Sequence, residues 1–137
     1  MKTIEFHLYV AGALQIGLAF MHLSFPKQFE WKEELSRLSL LNRQMFLVHT
    51  IFICVVILMT GALSLFAPHT LLQPTPLSRL VLAGFASFWG LRLLFQWLVY
   101  DMSLWKGDSF KTFVQGLFTL IWIYLTSVYA AALFLQK

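Results

Sequence analysis

A chain of 137 residues that is 59% hydrophobic and only 12% charged carries about half the charge of an average soluble domain, and its mean hydropathy of +0.74 places it with the integral membrane proteins. The net charge of +4 comes without any dense basic cluster, which excludes nucleic-acid binding and instead reads as basic loops at an anionic membrane face. Cys54 is the only cysteine, so an intrachain disulfide and CxxC redox chemistry are both excluded.

Four apolar runs follow in order, at 6–25, 46–67, 78–100 and 111–134. Each has the length of about 20 residues that a helix needs to cross the hydrocarbon core. Backbone groups find no water there, so runs this long and apolar are helices. The expectation is an all-α integral membrane protein, a single domain over 1–137 built as an up-and-down bundle of four transmembrane helices. The first run has one preceding lysine, is interrupted by Gln15 and His22, and is followed by Phe25-Pro26-Lys27. It therefore reads as a retained helix, not a cleaved signal, with Pro26 marking its end. The loop from Pro26 to Arg43 mixes Phe29, Trp31, Leu35, Leu38, Leu40 and Leu41 with charged residues, the pattern of a short amphipathic element in the interface. Pro68, Pro74 and Pro76 separate the second run from the third. Gly107-Asp108-Ser109 turns into the fourth, with Asp108 or Ser109 as its cap.

Antiparallel spans put the first and third loops on one side of the membrane. Lys27, Lys32, Arg37, Arg43, Lys106 and Lys111 lie there, against Lys2, Arg79 and Lys137 on the other side. The excess predicts both termini outside and the two loops in the cytoplasm, in a plasma (inner) membrane. Trp31, Trp97, Tyr100 and Trp105 fall near that cytoplasmic boundary, as an aromatic belt does.

Each run also carries polar and small residues at helical spacing, which a membrane helix turns inward. The stripes are Ala11, Gln15, Ala19 and His22; Met45, His49, Val56 and Thr60; Trp89, Arg92, Gln96 and Tyr100; and Gln115, Thr119, Trp122, Thr126 and Tyr129. His22, His49, Gln96 and Gln115 fall about 5–6 Å inside the cytoplasmic boundary, and Arg92 and Thr119 about 11–12 Å inside. The predicted site is a polar funnel of Arg92, Gln96, His22, His49 and Gln115, with Asn42, Arg43 and Tyr100 at its rim.

Arg92 is the residue of interest. It is the one charge between Leu80 and Tyr100, a stretch long enough to cross the membrane, no acidic residue lies in any run, and a guanidinium cannot lose its proton. An anion is the expected answer: a lipid phosphate, a carboxylate or a haem propionate. Snorkelling toward the interface is the plainer alternative. His22 and His49 offer two axial nitrogens to a haem or a metal, but no third ligand accompanies them, which argues against structural zinc. Their plainer reading is hydrogen bonding to a neighbouring helix. His7 and His69 belong to the opposite face and read as solvated. Gln15, Thr119, Tyr124 and Thr126 read as interhelical hydrogen-bond partners, and Gly12, Gly17, Gly61, Gly84 and Gly90 as points of close helix approach.

No GxSxG, HExxH or phosphate-cradling glycine loop occurs. The four-span layout resembles that of the membrane-associated eicosanoid and glutathione metabolism enzymes, whose cytoplasm-facing anion site is built from Arg, Asn, Gln and Tyr. Arg37, Asn42 and Gln44, with Arg92, Gln96 and Tyr100, supply comparable chemistry. Met45 stands where that family has a Glu, so the likeness is architectural and implies no membership. Three functions follow. The first is a protein binding an amphipathic anion or lipophilic cofactor. The second is a small membrane enzyme acting on a lipid or lipophilic substrate. The third is an accessory or assembly subunit of a larger membrane complex. The implied partners are membrane lipid, a lipophilic small molecule, and further copies or other subunits.

Overall fold

The computed structural model describes residues 2–101, 103, 107 and 109–136; among these the chain is all-α and no strand forms. Four long helices stand out: α1 (Lys2–Met21), α2 (Leu40–Phe66), α3 (Pro76–Leu98) and α4 (Ser109–Leu135). All four segments are long and apolar enough to cross a membrane, as the expected four-span bundle requires. The aromatic and basic residues Trp105, Lys106 and Lys137, and Asp108 as a cap, lie outside the described residues.

The helix ends differ from the sequence expectation for local reasons. α1 ends at Met21, ahead of Pro26, which instead sits in the first turn of a four-residue helix, Phe25–Gln28. Proline fits there because the missing N–H would have no helical partner in any case. α2 begins at Leu40, well before the apolar run, because Ser39 Oγ accepts from the backbone N–H of Asn42 at 3.4 Å and caps it. Thr75 and Ser78 form a reciprocal capping box at the start of α3, with Pro76 in the first turn. Ser109 is the first residue of α4, so it lies inside the helix and does not precede it as a cap. The expected amphipathic element in the first loop is a series of single turns, His22–Ser24, Phe25–Gln28, Trp31–Glu34 and Leu35–Arg37. Trp31 meets Phe46 edge-on at 4.9 Å, and Leu35 is buried while the charged residues stay exposed.

The chain divides into two compact units, Tyr9–Pro68 and the pair of segments Met1–Leu8 and His69–Lys137. In the first unit α1 and α2 meet backbone to backbone. A Cβ placed on Gly12 would lie 2.7 Å from the Gly61 carbonyl oxygen and 2.7 Å from the Leu65 nitrogen, and one on Gly61 would lie 2.9 Å from Gln15 Cβ. Fully buried Gln15 accepts a hydrogen bond from Thr60 Oγ1 at 2.7 Å. The inward face of α2 is Ile57, Gly61 and Ser64, with Thr60 half-buried; Met45, His49 and Val56 are exposed. The stripe expected on α2 is thus correct only at Thr60. Contact is governed there by small residues that let backbones approach. Gly17 and Gly84 have nothing within 4 Å of an added Cβ and are not contact points.

The second unit is organised by the α3–α4 hairpin. Trp89, Leu82, Trp122, Leu125 and Tyr129 form its buried apolar face, with Trp89 and Trp122 stacked at 5.0 Å and 12°. Buried Gln136 ties the end of α4 to the segment before α3 and to the first turn of α3, by donating to the Leu71 carbonyl at 2.6 Å and to Ser78 Oγ at 3.2 Å. The first turns of α1 join this unit through His7, whose Nδ1 lies 3.0 Å from the Tyr124 hydroxyl, and Glu5, which pairs with exposed His69 at 3.3 Å. His7 is therefore half-buried and hydrogen-bonded rather than solvated.

Candidate functional site

The α3–α4 hairpin is held in register by one amide. Gln96 Nε2 donates to the Gln115 carbonyl and to Thr119 Oγ1, both at 3.1 Å, and Gln96 Oε1 accepts from Trp122 Nε1 at 2.8 Å. Both donors are used, the carbonyl oxygen is occupied, and the side chain is buried. An amide with oxygen and nitrogen exchanged would set NH2 against the indole N–H and oxygen against the Gln115 carbonyl, so the chemistry of the neighbours fixes its orientation.

Arg92 stands one turn before Gln96 on α3 and is half-buried. Its guanidinium carbon lies 5.1 Å from the ring centre of Trp122 and 5.5 Å from that of Tyr100. Such contacts are worth about 0.5–2 kcal/mol each. A central membrane arginine costs about 2.5–3.5 kcal/mol, so the two rings offset much of the charge's burden without any anion. The rings attract the positive charge but supply no oxygen acceptor to its five N–H donors. Among the described residues Arg92 forms no ion pair. The nearest acidic residue in sequence, Asp101, accepts instead from the backbone N–H of Ser103 at 2.7 Å. That bond, then the Ser103 side chain, hold the exposed Asp101 carboxyl below its usual range.

The structure therefore gathers Arg92, Gln96, Tyr100 and Gln115 on one hairpin and adds Trp122, with Trp89 and Phe118 stacked on it at 5.0 and 5.5 Å. Trp122 is the residue that sequence reasoning left outside the site. Its place in the α4 stripe was legible, but the register bringing it under Arg92 exists only once Gln96 has engaged α4. Gln115 is buried, its backbone carbonyl taken by Gln96 and Thr119, and its Nε2 has no hydrogen-bond partner among the described residues. Thr126 turns its hydroxyl back to the Trp122 carbonyl within α4, so among the described residues it forms no hydrogen bond to another helix.

The remaining predicted residues belong to the Tyr9–Pro68 unit. His22 is half-buried and donates from Nδ1 to the Leu18 carbonyl at 2.7 Å; His49 is exposed and donates likewise to the Met45 carbonyl at 2.7 Å. Each bond reaches back four residues along its own segment and leaves Nε2 as the available nitrogen. No group of three or more metal-ligating side chains occurs among the described residues. Asn42 is exposed and Arg43 half-exposed in the first turn of α2. No known family model matches this chain, no curated protein matches its sequence, and no solved structure matches its fold.

Proposed function

We propose that this is a membrane protein that binds an amphipathic oxyanion, a lipid phosphate or the carboxylate of a lipophilic molecule, at Arg92 of the α3–α4 hairpin. One observation carries the reading. The guanidinium carbon lies over the Trp122 and Tyr100 rings, and the group has no carboxylate partner among the described residues. A planar fork of donors beside apolar rings suits a charged head joined to a hydrocarbon body.

The test uses purified protein in detergent with equal phosphatidylglycerol and phosphatidylcholine added, bound lipid being counted by native mass spectrometry. Parallel samples receive oleate or inorganic phosphate, which separates a lipid headgroup from a fatty carboxylate or a free anion. Arg92→Gln is expected to lower retention of the preferred anion roughly 10- to 100-fold, the range for a hydrogen bond to a charged group. Arg92→Lys recovers part of it, because an ammonium keeps the charge and loses the fork. Equal retention by wild type and Arg92→Gln sinks the reading.

The same proposal sets the hairpin's turn and the first loop in the cytoplasm and both termini outside, in the plasma membrane. Its support is the distribution of Lys and Arg between the two sides.

A further inference from the structure

We propose that Gln96, acting through Trp122, is the positioning residue of the Arg92 anion site, and that its neutrality keeps the site cationic; this rests on the reading of Arg92 as an anion site. An indole has a single donor. The bond from Trp122 Nε1 to Gln96 Oε1 at 2.8 Å therefore fixes the ring within its own plane. Stacking with Trp89 at 12° and with Phe118 at 23° fixes the plane itself. The guanidinium carbon of Arg92 rests 5.1 Å from that ring's centre, so the place of the charge follows from where Gln96 holds Trp122. With its own donors and acceptor engaged by α4, Gln96 acts on a ligand through Trp122 alone.

Position 96 is also one helical turn beyond Arg92, the spacing at which a carboxylate pairs with a cation on the same helix. A glutamate would accept the Trp122 N–H equally well. It would also neutralise Arg92 and set a negative oxygen against the Gln115 carbonyl. The amide performs the holding function without cancelling the charge.

Gln96→Glu, Gln96→Met, Trp122→Phe and Arg92→Gln are compared with wild type by retention of phosphatidylglycerol over phosphatidylcholine, at pH 7.5 and after acidification. Helical content by circular dichroism reports folding. At pH 7.5 Gln96→Glu is expected to fall to the level of Arg92→Gln, roughly 10- to 100-fold below wild type. Acidification restores it, since a protonated carboxyl still accepts from Trp122 but no longer neutralises Arg92, and the lipid phosphodiester stays charged. Wild type shows no such recovery. Gln96→Met and Trp122→Phe lose the anchor but not the charge, so both fall about tenfold or less at either pH. Wild-type retention by Gln96→Glu at pH 7.5, or a loss that acidification leaves unchanged, overturns the proposal. If Gln96→Glu does not fold, Gln96→Met and Trp122→Phe decide it, and wild-type retention by both overturns it. Loss in Arg92→Gln with no loss in the Gln96 and Trp122 variants removes the positioning role alone. Wild-type retention by Arg92→Gln removes the anion site and this inference together.

Discussion

A guanidinium carries a charge and five N–H donors, and at Arg92 the two are answered differently. The sequence shows a membrane-embedded charge without a carboxylate and so directs attention to its donors; the structure shows the charge itself answered by the Trp122 and Tyr100 rings. Aromatic residues in the neighbouring stripe were visible all along, but a tryptophan in a membrane helix is ordinarily packing. A second residue-scale feature is Glu30, which links two single-turn helices with φ 48° and ψ 39°. A side chain in this left-handed region costs about 1–2 kcal/mol, and glycine avoids that at about 0.5–1 kcal/mol of chain entropy. Glu30→Gly is therefore expected to stabilise the protein by about 0.5–1 kcal/mol, read from its unfolding titration with SDS in mixed micelles. Glu30→Val should shift the transition the opposite way, since a β-branched residue is least tolerant of positive φ.

At the scale of elements, the α1–α2 pair turns on two glycines and the α3–α4 pair on one amide. A methyl group on Gly12 would strike backbone atoms, Gly61 O and Leu65 N at 2.7 Å, and neither can rotate away. Gly12→Ala should separate the helices and lower stability by about 1–3 kcal/mol, the range for overpacking. Gly17→Ala on the same helix is the control. It meets nothing within 4 Å, and should be neutral or stabilising by up to about 1 kcal/mol through helix propensity. Equal losses from both would mean that close approach is not what joins α1 to α2. Gln15→Leu tests the polar part of that contact. Removing the bond from Thr60 should cost about 0.6–2 kcal/mol, measured in the same unfolding titration, and an unchanged midpoint would assign the pairing to the glycines alone.

At the scale of the whole molecule, four helices of membrane length and the distribution of basic residues are the two facts that bear on topology. Single cysteines introduced in the first loop and next to the C-terminus, with Cys54 replaced by Ala, can be labelled in intact cells by an impermeant maleimide. The C-terminal site should react from outside and the first-loop site only after permeabilisation. The reverse pattern would invert the assignment, because antiparallel spans fix each loop once one is known.

The sequence by itself determined the four apolar helices. Hydrocarbon leaves a backbone no other partner than itself, and run length alone decides a span. It also determined the inward face of α1, with Ala11, Gln15 and Ala19 buried, and the candidacy of Arg92, which follows from charge alone. Helix starts were less legible, since Ser39 and the Thr75–Ser78 box extend helices beyond their apolar runs. The face of α2 was misread at Met45, His49 and Val56, because a nearly uniform apolar helix carries little periodic signal and its contact depends on where a partner's backbone can come close. Only the tertiary structure decided the register of α3 against α4, and with it the placement of Trp122 beneath Arg92. That register comes from three hydrogen bonds of a single buried amide to residues 19–26 positions away, a pairing that no local pattern encodes.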